Sequence, residues 1–125
     1  MSNVPSDLKY TKEHEWVREV SPNSYQIGIT DFAQGALGDI VYIQLPKLGE
    51  KVSAGSVCGE VESTKSVSEI YSPLTGVITD VNPDLDKTPE LINQDPYAKG
   101  WIAQIEITEV ATDLLTASEY ETLTA

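Results

Sequence analysis

Short runs in which apolar and polar residues alternate with period two constrain this chain more than any other feature. "EWVREV" (15–20), "SYQIGI" (24–29), "DIVYIQL" (39–45), "SVCGEVES" (56–63), "SVSEIYS" (66–72), "GVITDV" (76–81) and "WIAQIEI" (101–107) each read as a strand. Turn formers separate them. "SPN" (21–23) closes a hairpin between the first two, and Pro46 in "PKLGE" stops the third. Strands this short and this closely spaced imply a two-sheet sandwich or small barrel, not βαβ units. Asp31 with Gln34 reads as a capping box and Gly38 as a stop, which gives a short helix after the first hairpin. "KTPELINQDPYAKG" (87–100) reads as a proline-broken loop with one helical turn. "TDLLTASEYETL" (112–123) reads as a helical tail with Ser118 and Glu121 as its capping box.

The length, 125 residues, suits one domain with its own core. A balance of 8 basic against 20 acidic residues gives a net charge of −12. Nucleic-acid binding needs basic contacts to phosphate, so that class is excluded, and an anionic membrane surface is disfavoured for the same reason. Such acidity suits docking onto basic faces of partner proteins. The single cysteine, Cys58, rules out a disulfide within the chain and reads as a small core residue. "MSNVPSDLKY" has no apolar signal segment, and nothing approaches about eighteen consecutive apolar residues. A cytoplasmic protein is expected, with a processed organellar form left open.

One lysine stands out. In "GEVESTKSVSEIYSPLTG" (59–76), Lys65 sits between two alternating runs with Glu60, Glu62 and Glu69 close by. It is a solvated charge, a catalytic amine or an attachment point. A catalytic lysine needs a neutral amine, obtained by burial or a neighbouring cation. A hairpin tip with an acidic flank offers neither. Small neighbours (Ser63, Thr64, Ser66) make a tip that fits a modifying enzyme's cleft. A weak repeat, "VYIQLPKLG" (41–49) against "VITDVNPDLD" (77–86), is centred on the same spot. Glu15 reads equally as surface charge or as an acceptor for a cation. A lone His14 gives no metal site, and Trp16 and Trp101 read as core.

These residues resemble a known family. "GEVESTKSVSEIYSPLTGVI" is similar to the attachment hairpin of biotinyl and lipoyl carrier domains. "LKYTKEHEWV" (8–17), "IGITDFAQGALGDIVYIQLPKLGEKV" (27–52), "LINQDPYAKGWIAQIEI" (91–107) and "ASEY" (117–120) resemble the H-protein branch, from the glycine cleavage system. The resemblance implies a mainly β barrel-sandwich hybrid of two antiparallel sheets, with a single carrier domain over 1–125 and its lipoyl hairpin at about 56–72. It implies lipoic acid in amide linkage on Lys65, with Glu62 and Gly76 at positions that a lipoate ligase or lipoyl transferase reads. Gly76 also reads as a turn or bulge residue.

The family's role is a carrier without catalytic residues or metal. A pyridoxal-phosphate glycine decarboxylase loads an aminomethyl group on the arm. A tetrahydrofolate-dependent aminomethyltransferase removes it, and dihydrolipoamide dehydrogenase reoxidises the dithiol. Glu15, His14 and Glu69 are the candidate contacts for the loaded arm, and a monomer is expected. A lipoyl domain of a 2-oxo acid dehydrogenase usually has Asp before the lysine, where Thr64 stands here. A biotin carrier has Met on both sides, where Thr64 and Ser66 stand. An H-like relay that passes lipoyl groups to other enzymes shares the whole pattern and remains the alternative.

Overall fold

A computed structural model describes residues 3–110 and 114–124. The described residues form nine strands, β1 (Lys9–Tyr10), β2 (Glu15–Ser21), β3 (Ser24–Ile29), β4 (Ile40–Gln44), β5 (Lys51–Val52), β6 (Val57–Ser63), β7 (Val67–Tyr71), β8 (Gly76–Val81) and β9 (Ala103–Ile107); seven come from the alternating runs, and the two-residue β1 and β5 were not read from sequence. They build two open antiparallel sheets, one of six strands in the order β1-β2-β3-β9-β8-β5 and one of three in the order β4-β6-β7. The mainly β, two-sheet expectation holds.

Period two explains the packing between the sheets. Ile43, Val61 and Ile70 point inward from the small sheet, and Val17, Ile27 and Ile105 from the large one. Cys58 lies in the same core, and burial pushes its thiol up to about 12. A second cluster stacks Tyr10 on Tyr120 at 4.7 Å beside Trp16 and Tyr97. Trp16 is fully buried, whereas Trp101 is only partly buried against this cluster. The two copies of the repeat lie one in each sheet and differ in burial. Its first copy holds β4 in the small sheet with Leu48 exposed, and its second holds β8 in the large sheet with Leu85 buried.

Four short helices complete the described residues, α1 (Asp31–Leu37), α2 (Asp84–Lys87), α3 (Leu91–Gln94) and α4 (Ala117–Thr124). The loop read at 87–100 therefore carries α3 and abuts α2. Neither capping box forms as read. Thr30, not Asp31, caps α1 by accepting from the Ala33 N–H, and Asp31 instead accepts from Gln34 Nε2 at 2.7 Å. At α4 the reciprocal pair is Thr116 with Glu119, each side chain bonded to the other's backbone N–H at 3.2 and 2.9 Å. The tail is helical from Ala117; part of the stretch read as its beginning (residues 112 and 113) lies outside the described residues. No helix among the described residues is long and apolar enough to cross a membrane.

Candidate functional site

Lys65 lies at the tip of the β6–β7 hairpin, and its backbone is fixed while its side chain is exposed. The turn is held by Ser63, whose N–H donates to the Ser66 carbonyl at 2.9 Å. Its hydroxyl oxygen accepts from the N–H groups of Lys65 and Ser66 at 3.2 and 3.1 Å. A serine there supplies the bonds that the turn cannot make from backbone alone. Thr64 N–H donates to the Asp39 carbonyl at 3.0 Å and docks the tip on the α1–β4 junction. The Lys65 stem crosses Gly38, where an added Cβ would stand 3.3 Å from Cε. Gly38 has φ +83 at the end of α1, a conformation that glycine adopts without strain.

The outer face of the small sheet leads away from this tip in three rows. Tyr42, Glu62 and Val67 face one another in register, then Gln44, Glu60 and Glu69, then Val57 and Tyr71. Glu60 and Glu69 are directly opposite, a like-charge pair that does nothing for sheet stability. The Glu69 carboxylate pushes the neighbouring Tyr71 phenol upward in pKa.

Beyond Tyr71 opens a cavity of about 580 Å³, lined among others by Thr11, Glu15, Gly55, Tyr71, Leu114 and Glu119. Glu15 is only 2% exposed, so it is not a surface charge. The Thr11 hydroxyl donates to Glu15 Oε1 at 2.7 Å, and the Glu15 N–H donates back to Thr11 Oγ1 at 3.1 Å. Burial pushes this carboxyl up to about 7, against the opposing pull of the Thr11 hydroxyl and the Tyr71 backbone. A buried carboxyl poised near neutrality in an open cavity can take up a cationic amine and ionise as it does so.

His14 faces elsewhere. With φ 70 it turns the corner before β2; its ring lies 4.8 Å from that of Phe32, and its Nδ1 is 2.7 Å from the Tyr120 hydroxyl. It does not line the cavity with Glu15, and neither does Glu69, although Tyr71 connects Glu69 to it. Gly76 begins β8 in the large sheet, away from the hairpin that carries Lys65. A Cβ there would stand 2.1 Å from the Glu106 carbonyl oxygen, so close strand approach, not a turn or bulge, requires the glycine. Thr11 and Tyr71 were not singled out from sequence, and Gly38 was read only as the stop of α1. For Tyr71 a signal existed, since it is in phase with Val67 and Glu69.

An arm on Lys65 fits this arrangement. Lipoyl-lysine reaches on the order of 10–15 Å from the backbone. Four residues of strand cover about 13 Å, so an arm laid back along β7 ends level with Glu69, two residues before the Tyr71 that borders the cavity.

Residues 8–125 match the family model described as glycine cleavage H-protein. The glycine cleavage system H protein of Mycobacterium tuberculosis is 55% identical over 107 residues, covering 86% of this chain and 80% of that protein. The one from Mycobacterium avium is 50% identical over 126 residues, covering 96% of each. The crystal structure of a glycine cleavage system H protein from Mycobacterium marinum superposes with a TM-score of 0.90 at 44% identity. It covers 97% of this chain and 98% of that one.

Proposed function

Because the chain belongs to the glycine cleavage H-protein family, the non-catalytic lipoyl carriers of the glycine cleavage system, we propose that Lys65 is its attachment point. The observation that carries this reading is the contrast at the tip, where the turn backbone is clamped and the lysine side chain is exposed. Bound there, lipoate would supply a dithiolane, the group on which a pyridoxal-phosphate decarboxylase, a folate-dependent aminomethyltransferase and a flavin dehydrogenase would act in turn.

The chain's own residues hold and shelter. Glu15 offers an acceptor to the cationic amine of the cargo, and Thr11 fixes the direction in which its carboxylate points. An ammonium beside Glu15 favours its ionised form, so binding releases a proton near neutral pH. Tyr71 and Leu114 wall the cavity and limit water around the amine. Glu69 stands on the path between tip and cavity. Glu62, next to the turn, is a position read by the lipoylating enzyme, whereas Gly76 acts through the sheet. One carrier domain spans residues 1–125, with its hairpin at about 56–72.

Intact mass spectrometry of protein from lipoate-replete cells tests the attachment. A lipoyl adduct is expected on the wild type and absent from Lys65→Arg. Glycine–CO2 exchange with the decarboxylase should then require the adduct. An adduct without exchange supports the relay reading instead.

A further inference from the structure

Glu62 does not stand alone on its sheet. It is flanked in register by Tyr42 on β4 and Val67 on β7, which are 52% and 59% exposed. Of the eight large apolar side chains exposed among the described residues, four lie on this three-stranded sheet: Val41, Tyr42, Val57 and Val67. Scattered exposed hydrophobics need no explanation. An apolar–carboxylate–apolar row one residue from the turn does. The inward residues Ile43, Val61 and Ile70 already meet the sheet's need for a core. Polar residues at 42 and 67 would serve the outer face as well.

We propose that the row Tyr42–Glu62–Val67 is the docking surface for the enzyme that acylates Lys65, an inference that rests on Lys65 as the attachment point. The argument is one of reach. Acylation takes place at Nζ itself, only about 6 Å from the backbone. The enzyme's cleft must therefore close around the turn, and its walls meet whatever flanks the turn. The row is about 10 Å wide across three strands, and its central residue adjoins Ser63, where the turn begins. Enzymes that use the finished arm act on atoms about 10–15 Å out and have no need to touch this row. The matching surface has an apolar recess for the phenol and isopropyl groups and a basic side chain facing Glu62. An exposed tyrosine beside a charge is the residue type that carries interface energy.

The test takes unmodified protein with lipoate, ATP and a lipoate–protein ligase, and follows acylation by intact mass as a function of carrier concentration. Titration of the ligase with the Lys65→Arg chain gives binding without turnover. Tyr42→Ala and Val67→Ser should each raise KM and Kd about fivefold to tenfold, with kcat held. Tyr42→Phe should stay near wild type. Leu48→Ala, at a 63% exposed apolar position off the sheet, should change nothing. Val67→Ser remains decisive if Tyr42→Ala melts at a lower temperature. Wild-type KM in both variants overturns the proposal, and so does a defect confined to glycine–CO2 exchange, which would assign the row to the decarboxylase. An adduct that persists in Lys65→Arg overturns the attachment point itself, and the docking surface with it.

Discussion

The Nδ1 of His14 and the hydroxyl of Tyr120 meet at 2.7 Å across 106 residues of sequence. The same hydroxyl is 2.7 Å from Thr30 Oγ1, which also accepts from the Ala33 N–H at 3.2 Å. One proton arrangement satisfies every group: Thr30 O–H donates to Tyr120, and Tyr120 O–H donates to a neutral imidazole. This relay ties the corner before β2 to the cap of α1 and to α4. Through α4 it steadies the segment whose Leu114 and Leu115 wall the cavity.

Protonating His14 turns Nδ1 into a donor and breaks that arrangement. Burial lowers its pKa from 6.5, opposed in part by Glu13. A histidine with a lowered folded pKa contributes stability that is complete above about pH 6.5 and lost as pH falls through the folded value. The melting temperature should therefore drop below about pH 6.5, and this component should vanish in His14→Gln. Tyr120→Phe leaves the buried Thr30 hydroxyl and the half-buried His14 ring short of a partner and should cost about 1–3 kcal/mol in denaturant unfolding.

Glu15 titrates in the opposite sense. Its folded pKa, about 7, stands above the ordinary 4.5. The stability it contributes is complete below about pH 4.5 and lost as pH rises through about 7. Glu15→Gln keeps an acceptor for the Thr11 hydroxyl without a buried charge. It should therefore raise stability at about pH 8 by on the order of 2 kcal/mol and change little at about pH 4.5. Thermal melts at the two pH values check this. A carboxyl resonance with a midpoint near 4.5 would contradict it.

The strands and the lysine tip were legible because both are local patterns. Period two fixes which of Val61, Glu62 and Ser63 point inward, and the small residues around Lys65 announce a tight turn. Glu15 was not, because its burial depends on β2 meeting the end of β7 and the tail, which no local run encodes. His14 was unreadable for the same reason, its partner being Tyr120. The α4 cap failed differently. "TASEYE" contains two overlapping boxes, Thr116 with Glu119 and Ser118 with Glu121. Spacing cannot choose between them. Tertiary structure chooses, since α4 begins at Ala117, which is buried in the cluster with Tyr10 and Tyr120.

The α4 cap makes a direct prediction. Thr116→Ala removes the acceptor for the Glu119 N–H, and Glu119→Ala removes the acceptor for the Thr116 N–H. Thr116→Ala should cost about 1 kcal/mol in urea unfolding, and Glu119→Ala should destabilise in the same direction but by less. Ser118→Ala should cost less than half of the Thr116→Ala effect, since Ser118 lies within the helix and does not cap it.

Substituting Gly76 tests whether this position serves recognition by the acylating enzyme or the fold. A Cβ at this position would meet the Glu106 carbonyl oxygen at 2.1 Å and the Ile107 Cα at 2.8 Å, so β8 and β9 could not keep their register. Both contacts are backbone, and neither can swing aside as a long side chain would. Gly76→Ala should therefore destabilise the chain by on the order of 3 kcal/mol, among the largest effects of any single methyl group here. Lipoylation of Lys65 should fall in proportion to the folded fraction, measured by circular dichroism and intact mass on the same sample. A variant that folds as well as wild type yet resists acylation would make Gly76 a recognition residue in its own right.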